Sequence, residues 1–251
     1  MLRIYSIFLW GGCLFMSLFT PQFTHAQLAV GDRPGQEALT AKKILYQMGW
    51  TYESCKTYRD TGVLRSDSIS PDGKQTVTTE PFSTVFVRPD RFRFEYLDKI
   101  GQKEERYLIW NEGKKVQRLA QSWDRGPRVE KAESLDDALG GSTGVTGNPV
   151  FEVPVLLLSR MFQRRRSLMT LAKMKRLADG VLERADCFRI AGDYLDSPVV
   201  IWIDKNTFLI RRIDSSLKGN GFDPVEYTTT YEPSINQKIP DELLKFDLPR
   251  K

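Results

Sequence analysis

The chain has 251 residues, 41% of them hydrophobic and 27% charged, with 37 Lys+Arg against 32 Asp+Glu. That balance is mildly basic and mixed in sign, which suits an anionic lipid surface and argues against a nucleic-acid binder. The one histidine is His25, inside an export signal, so the exported form lacks Ser-His-Asp and Cys-His nucleophile systems, histidine proton shuttles and the usual His-containing zinc sites; no cofactor or metal is implied.

Arg3, the apolar run Ile4 to Phe19 and the small residues around Thr24-His25-Ala26 have the order of a secretory signal. The run falls short of the roughly 20 residues of a spanning helix and contains Gly11-Gly12. Cleavage after Ala26 leaves a chain beginning at Gln27, placed in the periplasm or cell envelope; an uncleaved N-terminal anchor is the alternative. Cys13 does not read as a lipidation site, because Trp10 stands where an aliphatic residue is needed and the apolar run continues past the cysteine. The remainder, 27–251, suits a single α+β domain with its own core, carrying a glycine-rich loop and a helical insertion at about 133–180; two small domains are the alternative.

After the turn-rich Gly31 to Gly35, the segment Glu37 to Trp50 places Ala41, Ile44, Leu45 and Met48 at helical spacing, an amphipathic helix that needs a sheet to lie on. Thr57 to Leu64 enters a strand, and Ser70-Pro71-Asp72-Gly73 turns the chain toward an antiparallel neighbour. Val77 to Val87 continues in extended form. The most telling stretch follows: from Arg91 to Tyr96 ring and charge alternate, so Phe92, Phe94 and Tyr96 share one strand face and Arg91, Arg93 and Glu95 the other. Arg106 to Trp110, the turn Asn111-Glu112-Gly113 and Lys114 to Leu119 complete another hairpin.

The middle changes character. Leu139 to Pro149 is glycine-rich, a surface loop or the hinge of a lid, and Val153 to Phe162 is almost wholly apolar. Arg160, Arg164, Arg165, Arg166, Lys173, Lys175 and Arg176 then follow with no acid among them. They read either as a helix whose basic face meets anionic headgroups or as a solvated helix face with cations near its C-terminal end. Strands resume with Cys187 to Ala191, Val199 to Ile203, Phe208 to Ser216 and Glu226 to Tyr231, and Ile239 to Leu248 closes the chain. About nine to eleven strands with short hairpin connections predict an antiparallel sheet.

Beyond the signal only Cys55 and Cys187 remain. In an oxidising compartment they pair naturally, and loop entropy sets an upper contribution of roughly 4 to 5 kcal/mol for so long a loop; two separate buried thiols are the alternative.

Tyr58-Arg59-Asp60-Thr61-Gly62, Val87-Arg88-Pro89-Asp90-Arg91-Phe92-Arg93-Phe94, Asn111-Glu112-Gly113-Lys114, Ile201-Trp202-Ile203-Asp204-Lys205-Asn206-Thr207 and Ile239-Pro240-Asp241 before Phe246 occur in that order. In this the chain resembles the LolA/LolB-like superfamily of periplasmic lipoprotein carriers and sensors and, within it, the DUF2092 family. The resemblance implies an unclosed antiparallel β-barrel, a half-pipe covered by helices with acyl chains lodged between. It also implies that Arg88, matching the arginine of an Arg-Pro pair, holds the helical lid closed; a strand-edge cation is the alternative.

Phe92, Phe94, Tyr96, Trp110, Ile201 and Ile203 are the candidate lining of an apolar cleft; equally, they could pack on the helix stripe as ordinary core. Three function classes follow. The first is a non-enzymatic envelope protein that binds a lipid or the acyl chains of a lipoprotein, with contact to an anionic membrane through Arg164, Arg165, Arg166 and Lys173. The second is a stress sensor or scaffold of the same fold that binds an envelope protein. The third is a carboxylate hydrolase or transferase using Asp60, Asp90, Asp204 or Glu95, disfavoured because each sits in a turn or on a polar strand face and no pair is spaced for acid/base work.

Overall fold

The computed structural model describes residues 39–100, 103–113, 115–122, 126–139, 149–158, 167–219 and 222–246. The expected export signal, the glycine-rich residues 140–148 and the segment 159–166 with Arg160, Arg164, Arg165 and Arg166 lie outside the described residues.

Helix α1 runs over Ala41–Ser54 and buries Ile44, Leu45, Met48 and Tyr52. Thr40 caps its start, its hydroxyl accepting from Lys43 N at 3.3 Å. The helix reaches four residues past the Trp50 expected from periodicity and so brings in Tyr52, whose aromatic side chain continues the apolar stripe by one more turn. A second, shorter helix, α2 (Glu152–Leu157), follows a 3-10 turn at Pro149–Phe151 and is buried from Val153 to Leu157.

Among the described residues thirteen strands form one antiparallel sheet: β1 (Thr57–Ile69), β2 (Gln75–Val87), β3 (Arg91–Ile100), β4 (Lys103–Glu112), β5 (Val116–Ser122), β6 (Gly126–Ala132), β7 (Ala172–Arg176), β8 (Gly180–Leu182), β9 (Ala185–Tyr194), β10 (Ser197–Asp204), β11 (Ile210–Gly219), β12 (Phe222–Tyr231) and β13 (Ser234–Ile235). The order is β6-β5-β4-β3-β2-β1-β12-β11-β10-β9-β7, with β13 beside β1 and β8 beside β9. The sheet therefore stays unclosed, with β6 and β7 at its edges, and helices cover one face. This is the expected half-pipe, with more strands than expected. The pairing that unites its halves is nonlocal: β1 lies beside β12 with Gly62 opposite Tyr231.

The core sits between the sheet and its helices, where Phe82, Phe86, Phe92, Phe94, Ile201 and Ile213 meet Ile44, Met48, Val153 and Leu156 in one cluster. A smaller cluster lies elsewhere: Leu108, Trp110 and Leu119 pack with Phe246, whose ring stacks on Trp110 at 3.7 Å.

Two expectations are corrected. Residues 172–176 are strand β7 rather than helix, so Lys173, Lys175 and Arg176 lie along a sheet edge. There β7 pairs with β9, and Arg176 lies over the Phe188 ring while donating to Leu39 O at 2.8 Å. Cys55 and Cys187 are free and buried. Cys55 belongs to the helix-covered core, whereas Cys187 alternates with the core residues Phe188 and Ile190 on β9 and so falls on the opposite sheet face. The sheet itself separates the two thiols.

Candidate functional site

The helix-covered face is the candidate site, and strand parity decides who lines it. Phe92, Phe94 and Tyr96 point to this face as the alternation predicts, opposite Asn111, Ile109 and Tyr107 of β4. Ile201 and Ile203 join them from β10. Trp110 does not, because it pairs with Arg93 and therefore lies on the outer face under Phe246. Five of the six candidate lining residues thus come together. The space they bound is occupied by the chain's own side chains: Phe151 meets Phe94 at 4.9 Å and Tyr107 at 6.1 Å between ring centroids.

Arg88, just past the end of β2, reaches both covering helices. Its Nε donates to Cys55 O at 2.8 Å, and its Nη2 donates to Tyr52 O at 2.9 Å and to Leu157 O at 3.1 Å. The last carbonyls of a helix have no partner within it and carry its negative end, so a guanidinium, with five donors in a plane, suits the spot. The Phe86 ring lies beneath it at 4.9 Å from the guanidinium carbon. One cation therefore joins the C-terminal ends of α1 and α2 to the sheet.

A polar seam crosses the apolar face. Asp60 is fully buried on β1; its Oδ2 accepts from Tyr58 OH at 2.6 Å and its Oδ1 from Thr84 N at 2.7 Å. Tyr58 is also hydrogen-bonded to Tyr52, whose hydroxyl oxygen accepts from Ile210 N at 3.0 Å. The chain of bonds ties α1 to β1, β2 and the start of β11. Burial pushes the Asp60 carboxyl up to about 6, against the pull of its two donors. Glu152, at the start of α2, is pushed up to about 8, again by burial, and is held by Tyr194, while its Oε2 has no partner. Farther along, Glu80 accepts from Tyr96 OH and from Thr78. The hydroxyls of Thr84 and Thr229, also fully buried, have no partner.

Two of the other carboxylates weighed for catalysis, Asp204 and Glu95, are engaged structurally, and at Asp90 it is the backbone that is bonded. Asp204 caps its turn by accepting from Asn206 N and Thr207 N. Glu95 lies between Arg93 and Arg106 on the outer face, and the Asp90 carbonyl accepts from Asn111 Nδ2. Asp60 overturns the expectation of a solvated position. Its burial was legible in the alternation Tyr58, Asp60, Gly62, Leu64, which places it on the same face as Tyr58 and Leu64. Nothing in the local sequence marks Glu152, whose burial depends on how α2 seats against the sheet. Lys173 is exposed and paired with Asp193 at 2.8 Å.

Among the described residues no group of three or more His, Cys, Asp or Glu side chains is gathered as a metal ion requires, and no helix is long and apolar enough to cross a membrane.

No curated protein matches the chain. Among solved structures it is similar to a DUF1329 family protein from Desulfovibrio piger, at 13% identity and TM-score 0.37 over 82% of this chain and 95% of that one. MucB in complex with MucA matches at 11% identity and TM-score 0.36, over 82% of this chain and 60% of that one. The LolA superfamily protein NE2245 from Nitrosomonas europaea matches at 9% identity and TM-score 0.32, over 83% and 98%. The family described as "Predicted periplasmic protein (DUF2092)" matches residues 41–251, and the chain belongs to that family.

Proposed function

We propose that this chain is an exported, non-enzymatic binding protein of the cell envelope that takes the acyl part of a lipid or lipoprotein between its sheet and helices α1 and α2. The observation that carries the reading is the shape of the cover. A broad aromatic and aliphatic sheet face is covered in part by α2, a helix of six residues whose C-terminal end hangs on Arg88. In sequence α2 is flanked by Gly140, Gly141, Gly144 and Gly147 on one side and by Arg160 to Arg166 on the other. Phe151, Val153, Leu156 and Leu157 are the side chains an acyl chain replaces when α2 swings away. In water a chain of about 16 carbons carries a penalty on the order of 12 kcal/mol, at roughly 0.8 kcal/mol per methylene, so only an apolar slot of this kind makes it transportable. Arg88 acts as the latch, and cleavage after Ala26 releases the protein to the periplasm.

A second reading, a scaffold or stress sensor that binds an envelope protein, is favoured by one feature: the interior is already filled by its own side chains. Export of the chain in an envelope-bearing host, purification without detergent, and native mass spectrometry followed by lipid extraction decide between them. A discrete added mass that extracts as lipid supports the carrier. The bare polypeptide mass, together with a protein captured by crosslinking in envelope fractions, transfers the function to the scaffold.

A further inference from the structure

We propose that the outward face of α1, together with the edge strand β7, docks the protein on an anionic membrane surface. This surface is on the side of α1 away from the sheet, and the inference holds whatever the interior carries. Tyr46 and Trp50 are 64% and 57% exposed, and their spacing of four stacks them along one helix face. Met174 of β7, 38% exposed, borders the same area. A groove of about 500 Å³ runs between the two elements, lined by Leu39, Lys42, Lys43, Tyr46, Met169 and Met174.

An amphipathic helix already committed to a core on one face has no packing reason to carry Tyr and Trp on the other. Both rings have an apolar body and a polar tip, the combination that settles at headgroup depth. The charges match that occupant. Lys42 and Lys43 are exposed beside Tyr46 in the same groove, and the one acid in α1 is Glu53, in its last turn. Long lysine stems lie along apolar surface while their ammonium groups meet lipid phosphates. The site differs from the one expected in the sequence, where Arg164, Arg165, Arg166 and Lys173 were to form a basic helical face.

The test is co-sedimentation of the chain from Gln27 onward with vesicles of phosphatidylcholine containing about a third phosphatidylglycerol, against pure phosphatidylcholine. Far-ultraviolet dichroism checks that each variant is folded. The expected result is sedimentation with the anionic vesicles only, weakened by high salt, and reduced on the order of tenfold or more by K42E/K43E, since each lysine near such a surface contributes several-fold. Y46S/W50S should reduce it similarly, and the Trp50 contribution to the fluorescence blue shift should vanish in W50F. Three results overturn the proposal: no binding to anionic vesicles; binding that both double variants leave unchanged, which moves the contact to another basic segment; or a concentration-dependent dimer abolished by Y46S/W50S, which makes the face an interface between two copies.

Discussion

Arg88 spans more of the candidate site than any other side chain. Three carbonyls at the ends of two helices depend on it, so Arg88→Met should cost on the order of 2 to 3 kcal/mol by chemical denaturation. Hydrogen exchange should rise first in α2, which has no other cation on its last carbonyl among the described contacts. Arg88→Lys should not restore protection, because one ammonium cannot reach three divergent acceptors in a plane. If the exchange of α2 is unchanged in both variants, Arg88 is not a latch.

Asp60 sets a pH dependence with a definite sign. Its folded value of about 6 lies above the ordinary 3.8, so the folded state holds the proton more tightly. The stability this gives is complete below about pH 3.8 and is lost as pH rises through about 6, a change of about 3 kcal/mol. Glu152, pushed up from 4.5 to about 8, acts in the same direction, its share falling away from about pH 4.5 up to about pH 8. Denaturant titrations from pH 4 to 8 should therefore show falling stability, and Asp60→Asn should make the fall between pH 4 and 6 shallower while leaving the Glu152 part, which continues to about pH 8. The cysteines add a chemical count. Burial raises both thiols, Cys187 to about 11, so neither offers a thiolate at neutral pH. A thiol reagent should modify neither in the native protein and both after denaturation. A single disulfide found by mass would refute the separation of the two by the sheet.

At the scale of elements, β1 shows why a motif glycine is required. A Cβ on Gly62 would lie 2.2 Å from Phe82 Cζ and 2.5 Å from Thr230 O. The Phe82 ring passes over this glycine to meet Tyr231 edge-on at 5.3 Å. Gly62→Ala must displace either the ring or the β1–β12 pairing, and a loss of about 1 to 3 kcal/mol in thermal or denaturant unfolding is expected. Elements whose pattern is local were legible. The stripe Ala41, Ile44, Leu45 and Met48 marks α1, and the ring-charge alternation marks β3 with its faces assigned correctly. β7 was not legible, because a run of lysine and arginine carries no period and its strand conformation comes from pairing with β9, whose partner residues lie more than ten positions away. Trp110 was placed on the wrong face for a related reason. An aromatic residue at the end of Arg106 to Trp110 has no parity of its own; the register Arg93 opposite Trp110 supplies it.

At the scale of the molecule, the two faces of the sheet should separate in experiment. Trp110 and Phe246 close the outer face, far from the helices in the order of layers. Trp110→Ala should destabilise the protein by about 3 to 5 kcal/mol while leaving any lipid that co-purifies in place. Phe94→Ala, on the helix-covered face, should lower the amount of co-purifying lipid as well as stability. Equal loss of lipid in both variants would remove the inner face as the ligand site.

From the sequence alone came the expectation of an export signal with the single histidine inside it, the leading amphipathic helix, the antiparallel strands and the family likeness. These follow from composition and from periods of 2 and 3.6 residues, which a chain displays within a few positions. Tertiary structure alone decided the free thiols on opposite faces, the seating of Glu152 against the sheet, the reach of Arg88 to two helix ends, and the exposed rings of Tyr46 and Trp50. Each of these depends on which distant segments meet: β12 against β1, β9 against β7, α2 against the sheet. No local pattern encodes such meetings, because they are selected by the burial of the whole apolar face at once.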